Sequence, residues 1–189
     1  MSKFFAFIYR MKYIARWSLM RNTRTENVAE HSYHVSVLAH ALAVISRDVF
    51  GFDVDPGRVC AAALYHDMPE ILTGDLPTPI KYYGADIKEA YKRIEKEAGV
   101  RLLSNLTEEM KSGISAAALD CDEKVISLVK AADKLDAYIK CCEEISAGNR
   151  DFEKAQQQTK AAVDAMDMPE VKYFIKNYLS AFSMTVDEL

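Results

Sequence analysis

An all-α fold is predicted by three features of this 189-residue chain. Glycine and proline are sparse, at 7 and 5 residues, too few for the turns of a many-stranded sheet. Apolar residues recur three and four positions apart, and no run alternates apolar with polar as a half-buried strand does. Helix-start signals stand at the heads of these segments: Asn27 with Glu30 three residues on, and Asp55 followed by Pro56. Half the residues are hydrophobic, enough at this length for a single packed domain over 1–189.

The first helix is expected over 3–16. Phe4, Phe5, Ile8, Met11 and Ile14 or Ala15 recur at helical spacing and read as core. A basic loop, 16–24, follows with Arg16, Arg21, Arg24 and the only tryptophan, Trp17. Such arginines are commonly just solvated, but an indole beside a guanidinium also makes a flat wall and a phosphate fork. The next helix is expected over 28–50, apolar on Val35, Leu38, Leu42 and Ile45, and it carries His31, His34 and His40. At about 100° per residue His40 falls opposite His31 and reads as structural or superficial. His31 and His34 compete for any ligand role.

Residues 51–54 form a loop, and Asp55 with Pro56 starts the helix that carries 59–67. Its apolar run Ala61, Ala62, Ala63 and Leu64 leads into His66 and Asp67. Pro69 restarts a short turn with Glu70. Residues 74–79 read as a loop whose prolines fix the backbone and so pre-place Asp75 and Thr78. A charged amphipathic helix is expected over 85–105, buried on Ile87, Tyr91, Ile94, Ala98 and Leu102. Thr107 is placed to cap 108–119. Asp120 or Asp122 opens a long helix ending at Ala147, closed by Gly148 and Asn149. Its buried stripe is Val125, Leu128, Val129, Ala132 and Leu135, and Asp133 and Asp136 stand one turn apart within it. A carboxylate near a core face needs a partner, so a metal or an arginine is expected at one of the two. Helices over 150–166 and 169–180 and a loose tail at 184–189 complete the chain.

Composition excludes several classes. With 24 basic and 28 acidic residues the net charge is −4, which argues against general affinity for nucleic-acid polymers or anionic membranes. The four cysteines form no CxxC pair and read as free thiols of a reducing cytoplasm. The opening MSKFFAFIYRMKY carries no signal-type core, and no stretch approaches the ~20 apolar residues of a membrane span. There is no Gly-rich phosphate loop and no GxSxG element.

What remains is a constellation on three helices: His31, the adjacent His66 and Asp67, and Asp133. Imidazole nitrogen and carboxylate oxygen together suit a borderline divalent ion. The order resembles that of the HD-domain phosphohydrolases. HD alone is a weak motif, but here it lies in YHDMPEILTGDLPTPIK, preceded by RTENVAEHSYHV and followed by LVKAADKLDAYIKC. That set resembles the bacterial HD-domain 5′-deoxynucleotidases, which release phosphate from deoxyribonucleoside 5′-monophosphates. The resemblance covers about 3–148; the C-terminal helices at about 150–180 hold no family motif.

The resemblance implies an HD-domain helical bundle and a homodimer, and the free thiols place it in the cytoplasm. It implies that His31, His66, Asp67 and Asp133 hold one divalent ion; manganese, cobalt, iron and zinc all accept such ligands. Glu70 matches the acid that activates water, and Asp75 matches a second functional acid. Arg16 and Trp17 match residues that hold phosphate and press on the sugar, with Thr78 and Lys81 in the phosphate vicinity and Asp67 and Asp75 also counted as substrate contacts. Trp17 is expected to exclude a ribose 2′-hydroxyl by steric contact. His34 has no metal role in the pattern and is left as a supporting or core histidine. Only four histidines exist, none after His66, so the additional downstream ligands of multi-metal HD proteins are missing and a single ion is favoured. Two other readings stand beside this one: an HD hydrolase of a nucleoside triphosphate or guanosine tetraphosphate, and a helical module that binds metal or nucleotide without turnover. Glu70 and Asp75 count against the last.

Overall fold

The computed structural model describes residues 1–81 and 83–189, with the Thr78 side chain outside that description. Capping decides where its helices begin. α1, Phe4–Ile8, has no side-chain cap and passes into a 3-10 turn, Tyr9–Tyr13. The expected helix over 3–16 thus ends early. Val28 N–H donates to the Ile14 carbonyl and Arg16 N–H to that of Glu26, each at 3.0 Å, and this pairing draws 14–16 out straight beside 26–28. α2, Val28–Val44, begins on the expected capping box: Asn27 Oδ1 accepts from Ala29 and Glu30 N–H at 3.0 Å, and Glu30 Oε2 accepts from Asn27 N–H at 3.2 Å. A π-helical turn, Ile45–Val49, extends it.

α3, Pro56–Tyr65, starts on Asp55, whose Oδ1 accepts from Gly57 and Arg58 N–H. It stops at Tyr65, so His66 and Asp67 sit in a turn just beyond the helix rather than inside it. Pro69 is the reason, since it has no N–H to give to the Tyr65 carbonyl and its ring would clash there; Met68 N–H takes that carbonyl instead, at 3.0 Å. α4, Glu70–Thr73, is closed by Gly74 at φ +73°, a conformation that favours glycine. α5, Thr78–Lys81, takes in Pro79, which was expected in a loop; proline is tolerated in a first helical turn.

α6, Ala85–Leu103, matches the expected span but not the expected burial. Ala98 and Leu102 are buried, whereas Ile87 and Ile94 are 39% and 47% exposed. α7, Glu108–Ala118, has Thr107 at its cap position without a side-chain bond to the backbone. α8, Glu123–Ser146, starts on Asp122, whose carboxylate accepts from Val125 N–H at 2.9 Å, and Gly148 at φ +84° turns the chain beyond it. A 3-10 turn, Arg150–Phe152, leads to α9, Glu153–Asp164; α10, Pro169–Tyr178, and a last 3-10 turn follow. Among the described residues the only β pairing is the bridge between Ala15 and Asn27, and no helix is long and apolar enough to cross a membrane.

α2 lies at the centre, packed against α3 and α8, with α8 backed by α9. Val35, Leu38 and Leu42 of α2 meet Val59 and Ala62 of α3, and Leu128, Ala132 and Leu135 of α8, in one core that α9 and α10 close with Val163, Val171 and Phe174. Burying each Val, Leu or Phe side chain here contributes roughly 1.5–3 kcal/mol, and each alanine methyl less. A second cluster joins Phe4, Met68, Leu102, Leu103 and Leu106 under α4. Met68 is wholly buried and anchors the turn that carries His66 and Asp67.

Candidate functional site

The α2–α3–α8 core ends in a polar corner. His31, in the first turns of α2, is completely buried. Its Nδ1 lies 2.7 Å from Asp136 Oδ2 on α8, and its Nε2 faces Asp133 Oδ1 at 3.2 Å and Asp67 Oδ2 at 3.4 Å. His66 Nδ1 lies 2.7 Å from the Ala63 carbonyl, which can only accept. That bond fixes the tautomer and turns the bare Nε2 inward, 3.2 Å from the same Asp67 oxygen.

Both Nε2 atoms are buried without a hydrogen-bond partner among the described residues. In His31, Nδ1–H donates to Asp136, which leaves Nε2 facing two carboxylates. That arrangement calls for positive charge between them, which a proton on the imidazole or a bound metal ion would supply. Potential ligand atoms of His31, His66 and Asp133 lie within 4.8 Å of one another, as ligands about 2 Å from a common ion must. The donor set, two imidazoles with carboxylate oxygens, each imidazole braced through its other nitrogen, is that of a transition-metal centre. Burial and the Arg16 charge push the His31 imidazole pKa down, but Asp133, Asp136 and Asp67 outweigh them and hold it well above its ordinary value. Asp67, although burial pushes it up, is held well below the usual carboxylate range by His66 and His31.

Glu26, His31 and Asp136 form a second group with ligand atoms this close. Arg16 already supplies the cation there: its guanidinium donates to Glu26 Oε2 at 3.2 Å and stands 3.6 Å from Asp136 Oδ2. Asp136 therefore touches both the His31 ring and the arginine. The sequence marked it only as one of two carboxylates needing a partner, and each of the two has found one. Glu26 was missed; it lies outside any helix, where no periodicity singles it out.

Glu70, at the start of α4, is buried, and its Oε2 has no partner among the described residues. Burial, then the charges of Asp67 and Asp75, push its carboxyl up to about 9. Asp75 is half-buried; burial raises its pKa while Arg16 lowers it, and burial prevails. A cleft of about 560 Å³ opens here, lined by His66, Asp67, Glu70, Lys81 and Glu95. Lys81 reaches it already paired, 3.0 Å from Glu95 Oε1 and over the Tyr91 ring. A second hollow of about 240 Å³ lies beside His66 and Asp133, walled by Ala62, Leu119, Val125 and Val129.

The remaining expected residues divide. Trp17 holds a left-handed backbone at φ +56°, and its ring stacks at a tilt on Phe152, centroids 5.3 Å apart. Its indole Nε1 is buried without a partner among the described residues. His34 is half-exposed with Nδ1 3.6 Å from Asp136 Oδ1, so it borders the cluster from outside and is not core. His40 is exposed, as expected. The role expected of Thr78 lies outside the described residues, since it depends on that side chain.

The YfbR-like family, described as 5′-deoxynucleotidase YfbR-like, matches residues 3–182. The 5′-deoxynucleotidase YfbR of Shigella flexneri is 46% identical over 192 residues, covering 100% of this chain and 96% of that protein. A 5′-deoxynucleotidase of Vibrio atlanticus is 43% identical over 190 residues, covering 100% and 98%. Among solved structures, an HD-domain phosphohydrolase of Listeria innocua superposes with a TM-score of 0.82 at 24% identity, covering 95% of this chain and 88% of the other. A cyanophage S-2L HD phosphohydrolase, DatZ, bound to dA and one catalytic Zn²⁺ ion, superposes with a TM-score of 0.68 at 19% identity, covering 93% and 95%.

Proposed function

The chain belongs to the YfbR-like 5′-deoxynucleotidase family, and from that membership we propose that it hydrolyses deoxyribonucleoside 5′-monophosphates to deoxynucleoside and phosphate at the α2–α3–α8 corner. The observation that carries this reading is the pair of inward-facing imidazole Nε2 atoms, buried, without a proton partner, and set against carboxylates. His31, His66, Asp67 and Asp133 are the residues that would hold one divalent ion. When bound, such an ion acidifies water and draws charge from the phosphoryl group.

The chain's own groups do the rest. Glu70 is the group that would accept the proton of the attacking water: burial raises its pKa, and the charge of a bound ion nearby would favour the ionised form that acts as the base. Arg16, whose Nη1 pairs with Glu26 and Asp136, is the cation that would stabilise the phosphoryl oxygens. Asp75 stands near enough to Glu70 to raise its pKa, which supports its reading as the second functional acid. Lys81 lines the cleft and adds positive charge there, tempered by Glu95. Trp17 is the residue the family motif sets against the sugar, and its indole would there leave no room for a 2′-hydroxyl. Thr78 belongs to the same reading through its family motif.

The reading extends to a single phosphohydrolase domain over the whole chain, supported by the core that α9 and α10 share with α2, α3 and α8. It also includes a cytoplasmic homodimer. Four unpaired cysteines support a reducing compartment, and large exposed side chains such as Tyr9, Tyr13 and Tyr33 offer apolar surface for a second copy. The deciding experiment is phosphate release from dAMP and AMP by the metal-stripped protein, with and without added Mn²⁺, Co²⁺, Fe²⁺ or Zn²⁺. Metal-dependent release from dAMP, with AMP left largely intact, is expected. Turnover that is indifferent to metal removal would overturn the reading.

A further inference from the structure

A buried carboxylate on α8, remote from the metal corner, gathers the loop that follows Arg16 and Trp17. Glu144 is 1% exposed and accepts five hydrogen bonds. Its Oε2 takes Thr23 N–H at 2.9 Å, Thr23 Oγ1 at 2.7 Å and Asn149 Nδ2 at 2.7 Å. Its Oε1 takes Arg24 N–H at 3.3 Å and Lys140 Nζ at 2.5 Å. The two flanking donors grip the loop again: Lys140 Nζ donates to the Arg24 carbonyl and Asn149 Nδ2 to that of Arg21, each at 2.6 Å. Asn22 Nδ2 closes the loop on itself through the Trp17 and Met20 carbonyls at 3.2 and 2.9 Å.

Without these bonds residues 17–24 have little to hold them. They form no helix or strand. Trp17 also carries a positive φ, which costs a bulky residue roughly 1–3 kcal/mol and persists only where the surroundings over-determine it. Phe152, fully buried, meets the indole from the turn that Asn149 caps. Burial pushes the Glu144 carboxyl up, but Lys140, Thr23 and Asn149 hold it well below its ordinary value, so the clamp is anionic at neutral pH.

We propose that Glu144 is a positioning residue for sugar selection: with Lys140 and Asn149 it clamps the 17–24 loop and thereby sets the Trp17 indole. The role in selection rests on the function proposed above; the clamp itself does not. Trp17 is the only tryptophan, so its fluorescence reports the loop directly. Acrylamide quenching should be measured on the metal-loaded wild type, Glu144→Gln and Thr23→Val, with helical content and bound metal checked in each. In Glu144→Gln the quenching constant should rise about two-fold or more as the loop opens locally. The dAMP/AMP ratio of kcat/KM should fall by about ten-fold, chiefly through a lower KM for AMP, with kcat for dAMP little changed. Thr23→Val, which removes one donor on an exposed residue, should move both the same way by less, and it carries the test if Glu144→Gln does not fold. Unchanged quenching in a folded, metal-loaded variant overturns the clamp. Raised quenching with an unchanged ratio leaves the clamp standing and removes the sugar role of Trp17.

Discussion

The metal corner and the 17–24 loop sit on neighbouring faces of the site and are built by opposite means. The corner borrows its precision from helices. His31 and Asp133 extend from α2 and α8 where those helices pack on a common core, and Met68 pins the His66–Asp67 turn from below. The loop has no regular backbone bonds to borrow and is held by side-chain acceptors, Glu144 foremost. Hydrophobic packing at the corner is non-directional and spread over many residues; the loop depends on a few directional bonds whose loss leaves buried groups unpaired. Damage to the corner should therefore remove chemistry, and damage to the loop should alter selection and local order while chemistry persists.

The largest expected effect is at the corner itself. Asp67→Ala removes the carboxylate oxygen that faces both imidazoles. Phosphate release from dAMP should fall to background and metal analysis should find the ion gone. Retained metal with lost activity would move Asp67 from ligand to some other role. Next is Glu70→Ala, which should keep metal and substrate binding but lose about 10²–10⁴-fold in kcat, the usual worth of a positioned general base. A near-normal kcat would assign the proton to Asp75.

Asp136→Asn probes the seam between the two regions, because Asp136 touches both His31 and Arg16. A carboxylate that orients a metal-bound histidine is typically worth about 10–100-fold in metal affinity or activity. Titration of the stripped variant with Zn²⁺ should show weakening in that range, and an unaltered affinity would break the link. The smallest effect belongs to the loop and shows as pH dependence. The folded-state pKa of Glu144 lies below its ordinary value of 4.5, so its contribution is fully present above that value and is lost as pH falls below it. The Tm of Glu144→Gln should therefore lie about 4–8 °C under the wild type at pH 7, with the gap closing on acidification below 4.5. A gap independent of pH would mean that the carboxylate charge contributes nothing.

Much of this was legible in the sequence. Cap residues and apolar periodicity are local signals, so α2 and α3 could be read with their caps at Asn27 and Asp55, and α8 with its cap at Asp120 or Asp122, of which the structure uses Asp122. Where the reading slipped, a local rule met a longer-range one. The helix expected over 3–16 yielded to pairing with 26–28, and Pro69 ended α3 before His66. The stripe on α6 leaves Ile87 and Ile94 partly exposed, because periodicity reports that a face is apolar without saying what lies against it.

The sequence by itself determined the all-α class and the residue types able to hold a divalent ion, since ligand chemistry and helix phase are carried by each segment alone. Only the tertiary structure decided which groups meet. It set Asp136 between the His31 ring and Arg16, put Arg16 where a second group of ligands stood open, and brought Glu144 to a loop some 120 positions earlier in the chain. Those pairings join segments far apart in sequence, and their partners are selected by which faces the packed core leaves adjacent. No spacing within a single segment encodes that.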